Sequence, residues 1–161
     1  LINVAYEFNW REIGYNFPLR GTILKGKIKE VTGRQINSEG GSYSVQCVYG
    51  KGIVDAHLKT EAQNWAGTVI DQTIIDDLIN FEQIDFINKM TTRYEVPYKT
   101  GNTEEYVFKI KKTPLNDTAL ANLLRDIERI FSMDNKSIEH ESVKQKIENT
   151  KKFIIDTKDE E

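Results

Sequence analysis

The stretch SVQCVYGKGIVDAHLKT, residues 44–60, predicts a β-hairpin, because two alternating segments flank a glycine-containing tip. A two-residue loop at Gly50-Lys51 suits the primed turns of tight hairpins. In the register that follows, apolar residues face apolar residues, and a slip of one residue would destroy this match. The apolar pairs are Cys47 with Val54, Val45 with Ala56 and Tyr43 with Leu58.

This register assigns opposite faces to the single cysteine and to one of the two histidines. Cys47 is predicted to be a buried and unreactive core residue. His57 is predicted to lie on the polar face beside Asp55, exposed and non-catalytic. A Cys–His nucleophile pair is therefore not predicted. A single cysteine also excludes an internal disulfide and fits a reducing compartment, without excluding secretion.

Upstream of this stretch we predict two further strands. Residues 2–10 alternate between apolar and polar positions, which is typical of a half-buried strand. Residues 22–31 form the second candidate, in which Lys25, Lys27 and Lys29 share one face. We interpret this lysine row as a solvated face, a guard on a sheet edge or a contact strip for a partner.

Downstream, the periodicity predicts strands and helices in turn. Residues 65–70 suit a strand, and residues 71–90 suit an amphipathic helix that is capped by Asp71 and carries an acidic stripe. The acidic stripe is interpreted as a solvated face, with a carboxylate site as the alternative. The remaining predicted elements are a hairpin over 92–112, a helix over 115–132 opened by Pro114, and a helix over 137–155 capped by Ser137.

Side-chain pairing again selects a register for the hairpin over 92–112. The predicted pairs are Tyr98 with Tyr106, Val96 with Phe108 and Tyr94 with Ile110. Pro97 has no N–H to donate, so its strand is predicted to lie near a sheet edge. Together the elements predict a single α+β domain over residues 1–161, with a strand-rich part over 1–70. Its expected architecture is an antiparallel sheet built from hairpins, with two to three helices packed on it.

The composition excludes several function classes. The net charge is −3, so there is no basic excess for nucleic acid, and no run of apolar residues is long enough to span a membrane. One cysteine and two histidines fit no zinc spacing, and no catalytic set or cofactor motif is present. The first residue is Leu1 and not Met, which is compatible with removal of an upstream targeting segment or anchor, so no compartment is assigned.

Residues 14–65 resemble the domain shared by the Coa1 and Tim21 families of mitochondrial assembly proteins. The resemblance is carried by GYNFPLRGTILKGKIKE, by SYSVQCVYGKGIVDAHLK and by Trp65. The matching positions of the hairpin motif are Val48, Gly50, Lys51, Gly52 and Val54, with a Gly–Lys spacing one residue tighter than in the family. The resemblance implies a non-catalytic protein-binding module.

The sequence thus predicts an interaction or assembly module that is not an enzyme and works through a sheet edge and the adjoining helices. Its partner would be a protein or a second copy of the chain. The candidate contact residues are Lys25, Lys27, Lys29, Tyr94 and Val96. The alternative is a small-ligand-binding protein or an enzyme with a pocket between sheet and helices, which would use His57, Asp55 and the acidic helix. Aromatic residues that could line such a pocket are Trp10, Tyr15, Phe17 and Trp65.

Overall fold

The computed structural model describes residues 2–15, 18–110, 113–133 and 138–159. The helices within these ranges are α1 (Ile2–Gly14), α2 (Lys51–Ala62), α3 (Gln72–Asn80), α4 (Ile84–Met90), α5 (Asp117–Met133) and α6 (Glu141–Asp156). The strands are β1 (Gly21–Ile23), β2 (Lys29–Ile36), β3 (Ser42–Tyr49), β4 (Thr68–Ile70), β5 (Thr91–Tyr98) and β6 (Gly101–Phe108). Separate helices and mainly antiparallel strands confirm the predicted α+β class.

The main sheet has four strands in the order β1–β4–β6–β5, with β1 parallel to β4 and the other neighbours antiparallel. Successive strand residues point to opposite faces, so both faces bury apolar side chains. One face packs on α5 and α6 through Trp65, Val69, Val96, Val107, Ile110, Ile127, Phe153 and Ile154. The other packs on α1, α3 and α4 through Tyr6, Ile70, Ile75, Ile87 and Phe108.

Strands β2 and β3 form a second, two-stranded sheet, which we call the arm. Lys29 pairs with Tyr49 at one end and Ile36 with Ser42 at the other. The side chain of Asn37 closes the tip, where its Oδ1 accepts a bond from the Gly41 N–H at 2.6 Å. Every strand residue of the arm is exposed.

The hairpin predicted over 43–58 is wrong in its second half. Strand β3 pairs with β2 upstream, and the following residues form α2. Short apolar runs suit either a strand or a helix, and an ion pair between Lys51 and Asp55, one helical turn apart, accompanies the helix. Cys47 consequently lies on the exposed arm and is not buried.

Residues 2–10 form part of a helix and not the predicted strand. The helix buries Tyr6 and Asn9, which lie three residues apart, and leaves Val4 and Phe8 exposed. The ring of Tyr6 meets Phe108 edge to face at 5.5 Å, and Asn9 accepts a hydrogen bond from Thr68 at 2.7 Å. Tertiary packing of this helical face therefore overrides the alternating pattern.

The strand predicted over 22–31 is interrupted. β1 ends at Ile23 and β2 begins at Lys29, so the three lysines do not form a row on one strand. Likewise the helix predicted over 71–90 divides into α3 and α4, with Glu82 between them at a positive φ of 58°.

Several predicted elements agree with the structure. The strand over 65–70 corresponds to β4, and Asp71 caps α3 by accepting a bond from the Thr73 N–H at 3.2 Å. The helices over 115–132 and 137–155 correspond to α5 and α6, although the proposed cap Ser137 lies outside the described residues. The hairpin over 92–112 corresponds to β5 and β6, and residues 111 and 112 lie outside the described part.

The register of the β5–β6 hairpin differs from the predicted one. Tyr98 pairs with Gly101 across a two-residue loop, Val96 pairs with Thr103, and Tyr94 pairs with Glu105. The tight loop is compatible with the φ of 132° at Gly101, which glycine tolerates better than other residues. The predicted register pairs apolar residues with each other and requires a longer loop than the two-residue loop of the structure.

Candidate functional site

The most distinctive feature of the main sheet is the outer edge of β5, along most of which the described part of the chain places no neighbouring strand. In an antiparallel pair, alternate residues direct their backbone groups toward the neighbouring strand. The Lys109 N–H donates to the Met90 carbonyl at 3.0 Å, so even-numbered residues of β5 face β6. Arg93 and Glu95 therefore direct their N–H and C=O groups away from the sheet.

Both ends of this edge are closed by the chain itself. At one end the Thr91 N–H donates to the carbonyl of Ile87 in α4. At the other end the Asn64 N–H donates to the Pro97 carbonyl at 2.7 Å. What stays open is a short window, centred on Arg93 and Glu95, to which no described residue adds a strand.

A groove of about 370 Å³ lies along this window. The residues that line it come from β5, β6, α6 and the residue after α6. They are Arg93, Tyr94, Glu95, Pro97, Asn102, Glu104, Asn149, Lys152, Asp156 and Thr157. Helix α6 is fixed beside the edge, because the Asn149 side chain donates to the Asn64 carbonyl at 2.8 Å.

The two apolar residues predicted as contacts point into the protein. Val96 is fully buried, and Tyr94 stacks on Trp65 while its O–H donates to Asp156 at 3.4 Å. Burial, together with the charge of Asp156, raises the pKa of Tyr94 above its usual value, so the phenol stays protonated and able to donate. These two residues therefore hold β5 in place through their inward-pointing side chains and do not offer an exposed apolar contact to a partner.

The arm has one apolar and one polar side, because directly paired residues point the same way. Its apolar side carries Val31, Tyr43, Val45, Cys47 and Tyr49, together with Lys29, Gly33 and Gln35. Its polar side carries Glu30, Thr32, Arg34, Ser42, Ser44 and Gln46, together with Ile36 and Val48. Hydrogen bonds from Tyr43 to Gln35 and from Gln46 to Glu30 follow the same division.

The arm joins the body through closely packed glycines. An added Cβ at Gly26 would lie 2.4 Å from the Cα of Gly52, and one at Gly50 would lie 2.4 Å from the carbonyl oxygen of Lys27. Gly50 also has a φ of 150°. The Gly-Lys-Gly sequence therefore serves a close backbone approach at the start of α2, and not a hairpin turn.

The three predicted contact lysines have separate surroundings. Lys25 pairs with Asp77 of α3 at 2.8 Å, and Lys27 lies in the exposed segment that leads to the arm. Lys29 opens β2 on the apolar side of the arm.

A half-buried ion network joins α2 to the β5–β6 hairpin and to the residue that caps α3. Lys59 of α2 contacts both Asp71 and Glu105 at 3.0 Å, and the Tyr98 O–H donates to Glu105 at 3.0 Å. Burial alone would raise the pKa of Asp71, but hydrogen bonds from Lys59 and Thr73 outweigh it and lower the pKa. Burial and the Glu105 charge raise the pKa of Tyr98.

A second cavity, of about 430 Å³, is lined by Arg11, Ile13, Gly14, Tyr15, Ile110, Leu115 and Leu123. Of the aromatic residues considered for a ligand pocket, Tyr15 lines this cavity and Trp65 is buried in the core. Phe17 and the side chain of Trp10 lie outside the described part. His57 is exposed on α2 and lines neither cavity.

The described ranges contain no group of three or more histidine, cysteine, aspartate or glutamate side chains arranged to hold a metal ion. Among these same residues, none of the helices combines the length and apolar character that a membrane crossing requires.

Sequence reasoning identified the β5 edge through Pro97 but missed α6 as the second wall of the groove. No local pattern signals that Asn149 and Lys152 lie beside a strand more than 50 positions upstream. Comparison with protein-family models, with curated proteins and with solved structures gave no match.

Proposed function

We propose that this chain is a non-catalytic protein-interaction module that binds an extended segment of a partner protein along the β5 edge, beside α6. The observation that carries the proposal is the outward direction of the backbone groups of Arg93 and Glu95, next to a groove of about 370 Å³. Such groups hydrogen-bond an added strand, while the side chains of a groove supply selectivity.

The chain itself provides a precedent for strand addition at this edge. Gln63 forms an antiparallel bridge with Tyr98, and the flanking bonds join Asn64 to Pro97 and Lys99 to Ala62. An added segment would continue this pairing along the part of the edge that its own chain leaves open.

The charges of the groove favour a segment with a basic residue. Arg93 pairs with Glu104 and Lys152 with Asp156. Glu95 is exposed, and none of the described cations forms an ion pair with it. A lysine or arginine opposite Glu95 would gain an ion pair that weakens as salt is raised.

The alternative, a small-ligand-binding protein or an enzyme, has less support. Of the three described carboxylates beside the groove, Glu104 and Asp156 already pair with cations, and among the described residues that line the second cavity Arg11 alone is charged. A non-catalytic binding role is also what the resemblance to the Coa1 and Tim21 families implies. The residues of that resemblance from Gly50 to Val54 lie at the start of α2 and not in a hairpin.

The proposal can be tested with a displayed library of random dodecapeptides selected on the whole chain. We expect enrichment of extended peptides with a basic residue, and protection of the Arg93 and Glu95 amides from hydrogen exchange when a peptide is bound. Glu95→Pro should lower the affinity by at least about tenfold, because it removes the outward N–H and one hydrogen bond.

Glu95→Ala is the matched control, since it removes the charge but keeps the N–H. It should lower the affinity less than Glu95→Pro does, and abolish most of the salt dependence. Proline is already present two residues later, at Pro97, so we expect Glu95→Pro to leave the fold intact, as circular dichroism would check. Failure to enrich any peptide, or equal binding by both variants, would contradict the proposal.

A further inference from the structure

We infer that the apolar side of the arm is a self-association surface, which a second copy of this chain covers. Strand β3 alternates apolar Tyr43, Val45, Cys47 and Tyr49 with mostly polar residues, which is typical of a half-buried strand. All of its residues are exposed, and a two-stranded sheet alone is at best marginally stable in water. The alternation therefore indicates that a second layer covers one side.

The surface fits itself when two arms lie face to face and antiparallel about a two-fold axis. Two sheets packed in this way lie about 10 Å apart, and an antiparallel arrangement puts the two bodies at opposite ends. Strand β2 then faces its copy, and the axis passes between Val31 and Gly33. Val31 of each copy comes to lie over Gly33 of the other.

The missing side chain at Gly33 favours this arrangement. An added Cβ at Gly33 would meet no atom within 4 Å, so the middle of the apolar side has a gap. The gap lies beside Val45, to which Gly33 is paired. The valine of the second copy would fill it, as side chains of facing sheets interdigitate.

Charge and aromatic pairing point the same way. The apolar side has one charged residue, Lys29, at the root of the arm. The two-fold axis brings Lys29 over the uncharged Gln35 of the second copy, so like charges do not meet. It also brings Tyr49 over the second copy's Tyr43, and aromatic pairs of this kind add to the energy of burial.

The available area predicts a weak dimer. An aromatic side chain buries roughly 200 Å² when it is fully covered, and Tyr43 and Tyr49 are about half exposed in the single chain. With the two valines and Cys47, the apolar side offers on the order of 400 Å² per copy, below the roughly 800 Å² per partner of a standard interface. We therefore expect a reversible dimer in the micromolar range and not an obligate one.

Sedimentation equilibrium of the whole chain over about 1 to 200 µM tests the inference. We expect a monomer–dimer equilibrium in the unmodified protein. Val45→Glu, on the apolar side, should give a monomer throughout this range, whereas Ser44→Glu, on the polar side of the same strand, should behave like the unmodified protein. Gly33→Val should weaken the dimer at least tenfold by filling the gap, with an unchanged circular dichroism spectrum.

A short bismaleimide provides an independent readout. It should join two copies through Cys47, which lies next to the axis, but not through a cysteine moved to the polar side by the double change Cys47→Ser and Gln46→Cys. A chain that stays monomeric over the whole concentration range, or equal weakening by Val45→Glu and Ser44→Glu, would overturn the inference. Since Glu95 lies on a different sheet, Glu95→Pro should leave the dimer unchanged, which separates this inference from the proposed peptide site.

Discussion

The ring of Tyr94 is stacked on the indole of Trp65, with the ring centroids 5.5 Å apart and an interplanar angle of 18°. Phe153 of α6 packs against both rings. Its ring centroid lies 4.6 Å from that of Trp65 and 4.7 Å from that of Tyr94. This aromatic cluster holds the inner side of β5 against α6. The position of the outer edge of β5 therefore depends on aromatic packing inside the protein.

Tyr94→Ala should lower the free energy of unfolding by about 2–4 kcal/mol, because it opens a cavity in this cluster. Tyr94→Phe keeps the ring and loses a long hydrogen bond to Asp156, so its cost should stay below about 1 kcal/mol. Urea unfolding of both variants measures the difference. A phenylalanine variant as unstable as the alanine variant would show that the hydroxyl group, and not the ring, supports β5.

The elements around the groove could be predicted from the sequence better than the arm could, for physical reasons. The β5–β6 hairpin and the helices α5 and α6 have long, clear periodicities, and Pro97 indicates an edge. By contrast, residues 51–58 suit a strand or a helix equally well by pattern. The contacts that select the helix, such as that of Gly52 with Gly26, involve distant residues that no local pattern indicates.

Gly52→Ala should destabilise the protein by about 2 kcal/mol, because the new methyl group would lie 2.8 Å from the Cα of Gly26 and backbone atoms would have to move. Gly33→Ala is the control, since its added Cβ meets nothing within 4 Å in the single chain. Its effect on unfolding at low protein concentration should stay within about 0.5 kcal/mol. Equal losses from the two substitutions would contradict the close packing at the root of the arm.

Asp71→Asn should reveal a pH-dependent contribution to stability. The folded pKa of Asp71 is lowered, so its ion pair with Lys59 contributes fully above the unfolded pKa of about 3.9 and is lost as the pH falls through the lower folded value. Since asparagine also caps helices, the variant should lose about 1 kcal/mol from pH 5 to 7 and little near pH 2.

Urea unfolding at several pH values measures this difference, with Asp76→Asn as the control. Asp76 accepts a hydrogen bond from Gln72 on the exposed side of α3 and has no ion pair among the described residues. A stability difference for Asp71→Asn that persists unchanged at pH 2 would argue against the ion pair as its source.

Cys47 should react rapidly and stoichiometrically with a thiol reagent such as DTNB in dilute native protein, because it is exposed. Its replacement by alanine should change the free energy of unfolding by less than about 0.5 kcal/mol, as for other surface positions. The labelling rate, followed spectroscopically, should fall as the protein concentration is raised if two arms cover each other. Protection of Cys47 even at the lowest concentration would contradict its exposed position in the single chain.

Asn64 closes the β5 edge at one end and Ile87 closes it at the other, so the edge limits the length of any strand that pairs with it. The open window from the Thr91 carbonyl to the Glu95 carbonyl measures about 14 Å at the rise of an extended strand. A longer strand could not pair in full, and it could not slide along the edge to another register. The same two stops prevent the sheet from templating long intermolecular pairing, the hazard that an open edge otherwise brings.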